Sequence, residues 1–238
     1  MPRSTTAKPA ARAKRRAGYH HGNLREAMIE ATVALVAEVG AENVTVREVA
    51  RRAGVSSGAP FRHFPNKTAL MTAVAEEATR RLRVAIETAV AQVDGGDPLA
   101  RISAIGRGYF DWALRHPTHF AVVAARKLID YDGSPTLARD NAVTQTILRD
   151  ALAEAQRRGL IDPADLHLLD LEARALADGL ARMHVDGHLP QWGVAPGEVE
   201  ATLRAVLDRY LGRLIAGAPE AGPPAAGPAR PAAAKRRR

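Results

Sequence analysis

Residues 47–67 read REVARRAGVSSGAPFRHFPNK. Ser56 and Ser57 put two hydroxyls, each both donor and acceptor, at the start of a segment that continues with Gly58 and Ala59. Side chains that small let a backbone come close to another surface, and the hydroxyls can bond to phosphate oxygens or to the edges of bases. That is the chemistry of docking on a nucleic acid rather than of bond cleavage. Other chemistries find less support. His116 and His119 lie three apart, with Asp111 nearby, and His184 and His188 lie four apart, spacings that can hold a metal on one helical face. Pro117 and Gly187 interrupt the two pairs, so both are expected to be ordinary packed or surface histidines, with no metal and no cofactor. The stretch DGGDP lacks the spacing and the Lys-Ser/Thr of a phosphate loop, and no nucleophile elbow occurs.

The elements that must carry the hydroxyls are helices. LREAMIEATVALVAEVG repeats apolar residues at Leu24, Met28, Ala31, Leu35 and Val39, with Asn23 as the expected N-cap and Gly40 as the stop. Thr45 caps a second, shorter segment with Val46, Val49, Ala50 and Ala53 on one side, ended by Gly54. Ser56 is expected to cap a third segment running to Phe64, where Pro65 breaks the chain. Asn66 caps a fourth, long helix striped by Leu70, Val74, Ala78 and Leu82 and ending near DGGDP. Between the second and third segments, Ala50 admits a close neighbour, Gly54 supplies the positive φ of a sharp turn, and Val55 pins that turn to the core. These are the proportions of a helix-turn-helix, which leaves the leading end of the next helix free to enter a DNA major groove.

Residues 99–216 carry five further segments of helical periodicity, each bounded by Gly or Pro, and no alternating strand pattern appears. Hydrophobic residues make up 46% of the 238 and aromatic ones 4%, a composition suited to packed helices of Ala, Val, Leu and Ile. No apolar run reaches the roughly 18 residues of a membrane span. No secretory leader is evident and Cys is absent, so the expected compartment is the cytoplasm. The net charge of +8 is concentrated at the ends: six Lys/Arg without an acid in residues 1–20 and a net +4 in residues 218–238 leave the body at −2. Such arms suit a polyanion. The expected organisation is a disordered basic arm over 1–18, a helix-turn-helix domain over 19–66, a helical block over 67–216 and a Pro/Ala-rich basic tail over 217–238.

Residues 20–70 resemble the DNA-binding domain of the TetR-family transcriptional repressors, with TVREVARRAGVSSGAPFRHFPNKTAL similar to the family signature from its second helix into its fourth. The resemblance implies an all-α protein of about nine helices: an N-terminal three-helix DNA-binding domain and a C-terminal domain that binds a small molecule and dimerises through its last two helices. It also implies contacts to double-stranded DNA from Thr45 and Arg47 at the start of the second helix. Further contacts would come from Ser56, Ser57, Gly58, Ala59 and Arg62 on the recognition helix, from His63 just after it, and from Lys67 at the fourth. Two positions depart from the family pattern. Phe61 stands where Tyr is usual, which removes a phosphate-binding hydroxyl and points to a core role, and Pro60 removes an N–H from the first turn.

In the C-terminal block, Tyr109, Phe110, Trp112 and Phe120 gather four of the chain's ten aromatic residues in one short region. They are expected to pack as core or, on the sharper reading, to line an apolar cavity in which Arg101, Arg107 or His184 orients a polar group. The sequence therefore points to a homodimeric, ligand-released repressor with an apolar or amphipathic effector. An architectural DNA binder without a ligand and a helical enzyme are the alternatives.

Overall fold

The computed structural model describes residues 24–217. The expected Asn23 cap, the arm over 1–18 and the tail over 218–238 lie outside the described residues. Among those described, eight α-helices and five short 3-10 turns account for all regular structure: α1 Leu24–Val39, α2 Val46–Arg52, α3 Lys67–Ala91, α4 Pro98–Arg115, α5 Pro117–Ala124, α6 Pro135–Arg157, α7 Leu166–Val185 and α8 Val199–Ala216.

Local chemistry sets the helix starts. Thr45, Asn66, Asp97, Ser134 and Asp165 each accept a hydrogen bond from a backbone N–H of the first turn they precede. Pro98, Pro117 and Pro135 occupy first helical positions, where a missing N–H breaks no bond. Met28, Ala31 and Leu35 line the buried stripe of α1, whereas Val39 at its end is exposed.

The expected third helix is not an α-helix, so eight stand in place of about nine. An α-helical turn here would need the N–H of Pro60 to reach the Ser56 carbonyl, and proline has none. The Ser56 carbonyl instead accepts from the Ala59 N–H at 3.1 Å, a tighter turn that continues as a 3-10 segment over Ala59–Arg62. The N-cap of that segment is Gly58, and no side-chain hydroxyl caps it.

Two apolar cores are built on α3. Its first half contributes Leu70, Met71 and Val74 to a core shared with α1, α2 and Phe64, which also takes in Val122 of α5 and Leu137 of α6. Its second half contributes Ile86 to a core made with α4, α6, α7 and α8. At 25 residues α3 is roughly 37 Å long, enough to run through both.

Candidate nucleic-acid interface and ligand cavity

The turn between α2 and the 3-10 segment is held by backbone hydrogen bonds and by Val55. Gly54 takes φ +70°, and the Val55 N–H closes the turn on the Ala50 carbonyl at 3.0 Å, with Ala50 fully buried and Val55 half-buried against the core. Past it, Pro60 and Phe64 point inward, while Ser56, Ser57, Gly58, Phe61, Arg62 and His63 are exposed and Ala59 is half-exposed. Phe61 is 48% exposed, so it stands among the outward-facing residues and not in the core. Thr45 and Arg47 face solvent on the same motif, and Thr45 keeps its hydroxyl oxygen on the Glu48 N–H at 3.2 Å.

The basic residues of the motif divide into two sets. Arg51 pairs with Glu48, and Arg52 with Glu38 across to α1 at 2.6 Å; these contacts hold both carboxylates below the usual range, chiefly through the arginine hydrogen bonds. Arg47 and Arg62 have no ion-pair partner among the described residues, which leaves their charge available to an incoming polyanion. Lys67 is half-buried, and its ammonium donates to the Glu42 carbonyl at 2.6 Å, tying the start of α3 to the α1–α2 connection.

In the C-terminal block, α3 to α8 line a partly open cavity of about 270 Å³. Its apolar wall includes Leu82, Ile86, Ile102, Ile105, Phe110 and Leu207, and its polar groups are Tyr109, Asn141, Thr144, Arg174, Asp178 and Tyr210. Of the aromatic cluster, Tyr109 and Phe110 reach this cavity. Trp112 and Phe120 do not: their rings pack 6.2 Å apart against Ala78 and Ala181 in a separate small core. His184, Arg101 and Arg107 do not border the cavity either. The Tyr109 hydroxyl donates to Asp178 at 3.3 Å, and burial, then the Asp178 charge, push its pKa well above the ordinary phenol value. Burial and the nearby Glu172 likewise push Tyr210 up to about 12. Both phenols stay neutral at physiological pH. Arg174 is a cavity residue that the sequence reading misses. A signal for it exists: Asp170, Arg174, Asp178 and Arg182 repeat at i, i+4 along one face of α7.

The two histidine pairs hold no metal-type cluster among the described residues. His116 and His119 stack edge to face at 5.6 Å in the α4–α5 bend.

The head and the helical block match family models in order along the chain. Residues 28–74 match the model of bacterial regulatory proteins of the tetR family, and residues 102–210 match that of the tetracyclin repressor-like C-terminal domain. The chain belongs to the TetR family. The HTH-type transcriptional regulator BetI of Cronobacter sakazakii is 30% identical over 200 residues, covering 82% of this chain and 92% of that relative. A solved protein of unknown function from Rhodococcus sp. RHA1 superposes with TM-score 0.68 at 30% identity over 83% of this chain and 98% of that one. The TetR regulator PfmR of Thermus thermophilus shares the fold, with TM-score 0.64 at 20% identity over 79% of this chain and 95% of that one. As a TetR-family member the protein is a DNA-binding transcriptional regulator and not an enzyme. Regulators of this family bind operator DNA as dimers and respond to small molecules. No helix among the described residues is long and apolar enough to cross a membrane.

Proposed function

We propose that the protein is a cytoplasmic repressor released from a pseudo-palindromic operator when an apolar or amphipathic molecule fills the cavity between α3 and α8. The observation that carries this reading is the pair Val122–Val123 on α5. Val122 is fully buried in the core of the DNA-binding head, and Val123, its neighbour in the chain, borders the cavity. A ligand that moves the cavity wall therefore acts one residue away from the packing that orients the head. Three polar contacts lie along the same seam. The Asp130 N–H donates to the Thr72 hydroxyl at 2.9 Å, the Ser134 hydroxyl donates to Glu76 at 2.8 Å, and Arg25 of α1 pairs with Glu76 at 3.3 Å.

In this reading Ser57, Gly58 and Ala59 approach base edges. Thr45, Arg47, Ser56, Arg62, His63 and Lys67 position the head on phosphates. The dimer forms through α7 and α8, whose exposed Leu168, Leu171 and Ile215 are large apolar residues facing solvent in the single chain. Half-sites then lie about 34–36 Å apart or a multiple of it. Ligand favours the dimer conformation in which the two heads no longer match successive grooves, a shift between populations.

The test is Ala177→Trp, which places an indole in the cavity from the α7 wall. Operator affinity without ligand should stay within about threefold of wild type, because a shift that small is under roughly 1 kcal/mol. Ligand-driven release should disappear. A variant that still releases DNA on adding ligand would show that the sensor lies elsewhere.

A further inference from the structure

We infer that the effector of this cavity is an anionic amphiphile whose acidic head group docks on Arg174; the inference rests on the reading of the cavity as the sensor. Arg174 and Asp178 are the two charged residues on the cavity wall. Both lie on α7 and stand four residues apart, yet no ion pair joins them. Each is instead directed along the helix away from the other. Asp178 accepts from the Tyr109 hydroxyl at 3.3 Å and faces Arg182 at 3.7 Å. Arg174 donates through Nε to Asp170 at 3.0 Å, while its Nη2 is buried with no hydrogen-bond partner among the described residues.

Asp170 cannot balance Arg174 alone. It is 5% exposed and also faces Arg149 at 3.5 Å, so one buried carboxylate serves two guanidinium groups. The hydroxyls of the wall are already engaged. The Thr144 hydroxyl donates to the Asn141 carbonyl at 2.9 Å, and the Tyr210 hydroxyl to the Leu169 carbonyl at 3.4 Å. The buried donor on this wall that still lacks a partner thus belongs to a permanently charged group. A guanidinium in that state is best satisfied by an ionised acceptor, because charge-assisted bonds are shorter and stronger than neutral ones. An apolar ligand would leave the donor unpaired, and a cationic one would meet like charge. The apolar part of the wall, with Ile102, Ile105, Phe110 and Leu207, is suited to a hydrocarbon body. A cavity of about 270 Å³ lies just below the roughly 300–1,000 Å³ common to small-molecule sites. It suits a small ligand such as a medium-chain carboxylate.

The probes are octanoate, octanamide, 1-octanol and octylammonium, measured by calorimetry on the full-length protein. Octanoate should bind at least about tenfold more tightly than the amide and the alcohol, and octylammonium should be weakest. Arg174→Met should remove the preference for octanoate and leave 1-octanol unchanged. Arg149→Met, which removes the other cation on Asp170, should retain it. The comparison of octanoate with octanamide on wild type stands even if Arg174→Met does not fold. Equal affinity for octanoate, octanamide and 1-octanol would overturn the assignment of the head group and leave the cavity as an apolar sensor. Binding of none of the probes would count against the cavity as a sensor of this kind altogether.

Discussion

The DNA-binding head and the C-terminal block are both built of helices, yet they are held in opposite ways. In the head the elements are short, and backbone bonds and caps fix them: Thr45 on Glu48, Val55 on Ala50, Asn66 on Ala69. Its outward face carries Arg47 and Arg62, cations with no ion-pair partner among the described residues. Apart from the 8-residue α5, the block uses helices of 18 to 25 residues with broad apolar faces, and they leave a cavity of about 270 Å³. Many of its charges are paired along single helices, as with Glu77 to Arg80 and Arg81. A reading head must hold angstrom-scale geometry against a groove, and backbone constraints supply that. A sensor needs a packing arrangement with a second nearby solution, and incomplete filling between long helices supplies that.

The largest effect bearing on this contrast lies within the head itself. Phe64 is 2% exposed in the head core and Phe61, three residues earlier, is 48% exposed. Phe64→Ala should destabilise by about 3–5 kcal/mol in denaturant titration, and Phe61→Ala by no more than about 0.5 kcal/mol. Similar losses from both would mean that the reading segment is not a fixed surface over a fixed core.

Acid should act first on the other side. His119 of the α4–α5 bend is held down at about 4 by burial, then by the charges of Arg81 and His116; burial also lowers His116. The folded pKa lies below the ordinary 6.5, so the stabilisation is complete above pH 6.5 and is lost as pH falls toward 4. Glu77, held at about 2 by Arg80 and then Arg81, adds a loss only below its ordinary 4.5. The melting temperature should therefore decline between pH 6.5 and 4.5, and His119→Phe should flatten that slope. An unchanged slope in the variant would place the acid-sensitive group elsewhere.

A smaller effect separates the two sets of head arginines. Arg62→Ala should reduce the slope of log affinity against log salt by roughly 1, as expected when the protein neutralises one phosphate fewer. Arg51→Ala, whose charge is already matched by Glu48, should leave that slope nearly unchanged. Equal changes would show that ion pairing within the head does not decide which cations meet DNA.

The head is legible in the sequence because its determinants are local. Thr45, Gly54 and Asn66 each act on residues within four positions, so their types alone announce the caps and the turn. The third segment departs from expectation at Pro60, whose absent N–H outweighs the serine cap signal and turns an expected α-helix into a 3-10 turn. Phe61 follows from the same change, since its direction depends on the turn that precedes it. The block is legible as helices but not as a site. Which of Tyr109, Phe110, Trp112 and Phe120 reaches a cavity depends on how several helices meet, and no spacing within α4 reports that. The α7 charge ladder is visible in the sequence, yet only the packed structure shows that Arg174 and Asp178 leave their rung unmade.

If the cavity and the DNA surface are coupled through Val122 and the contacts of Asp130 and Ser134 with α3, linkage makes that coupling reciprocal, and it can be read from the ligand side. Calorimetry would give the affinity of a cavity ligand, with octanoate as the first probe, for the free dimer and for the dimer saturated with operator. Binding should be about 5- to 150-fold weaker to the operator complex, the range of coupling free energies of roughly 1–3 kcal/mol. Identical affinities in the two states would refute the coupling, because a ligand that does not distinguish the states cannot release the DNA.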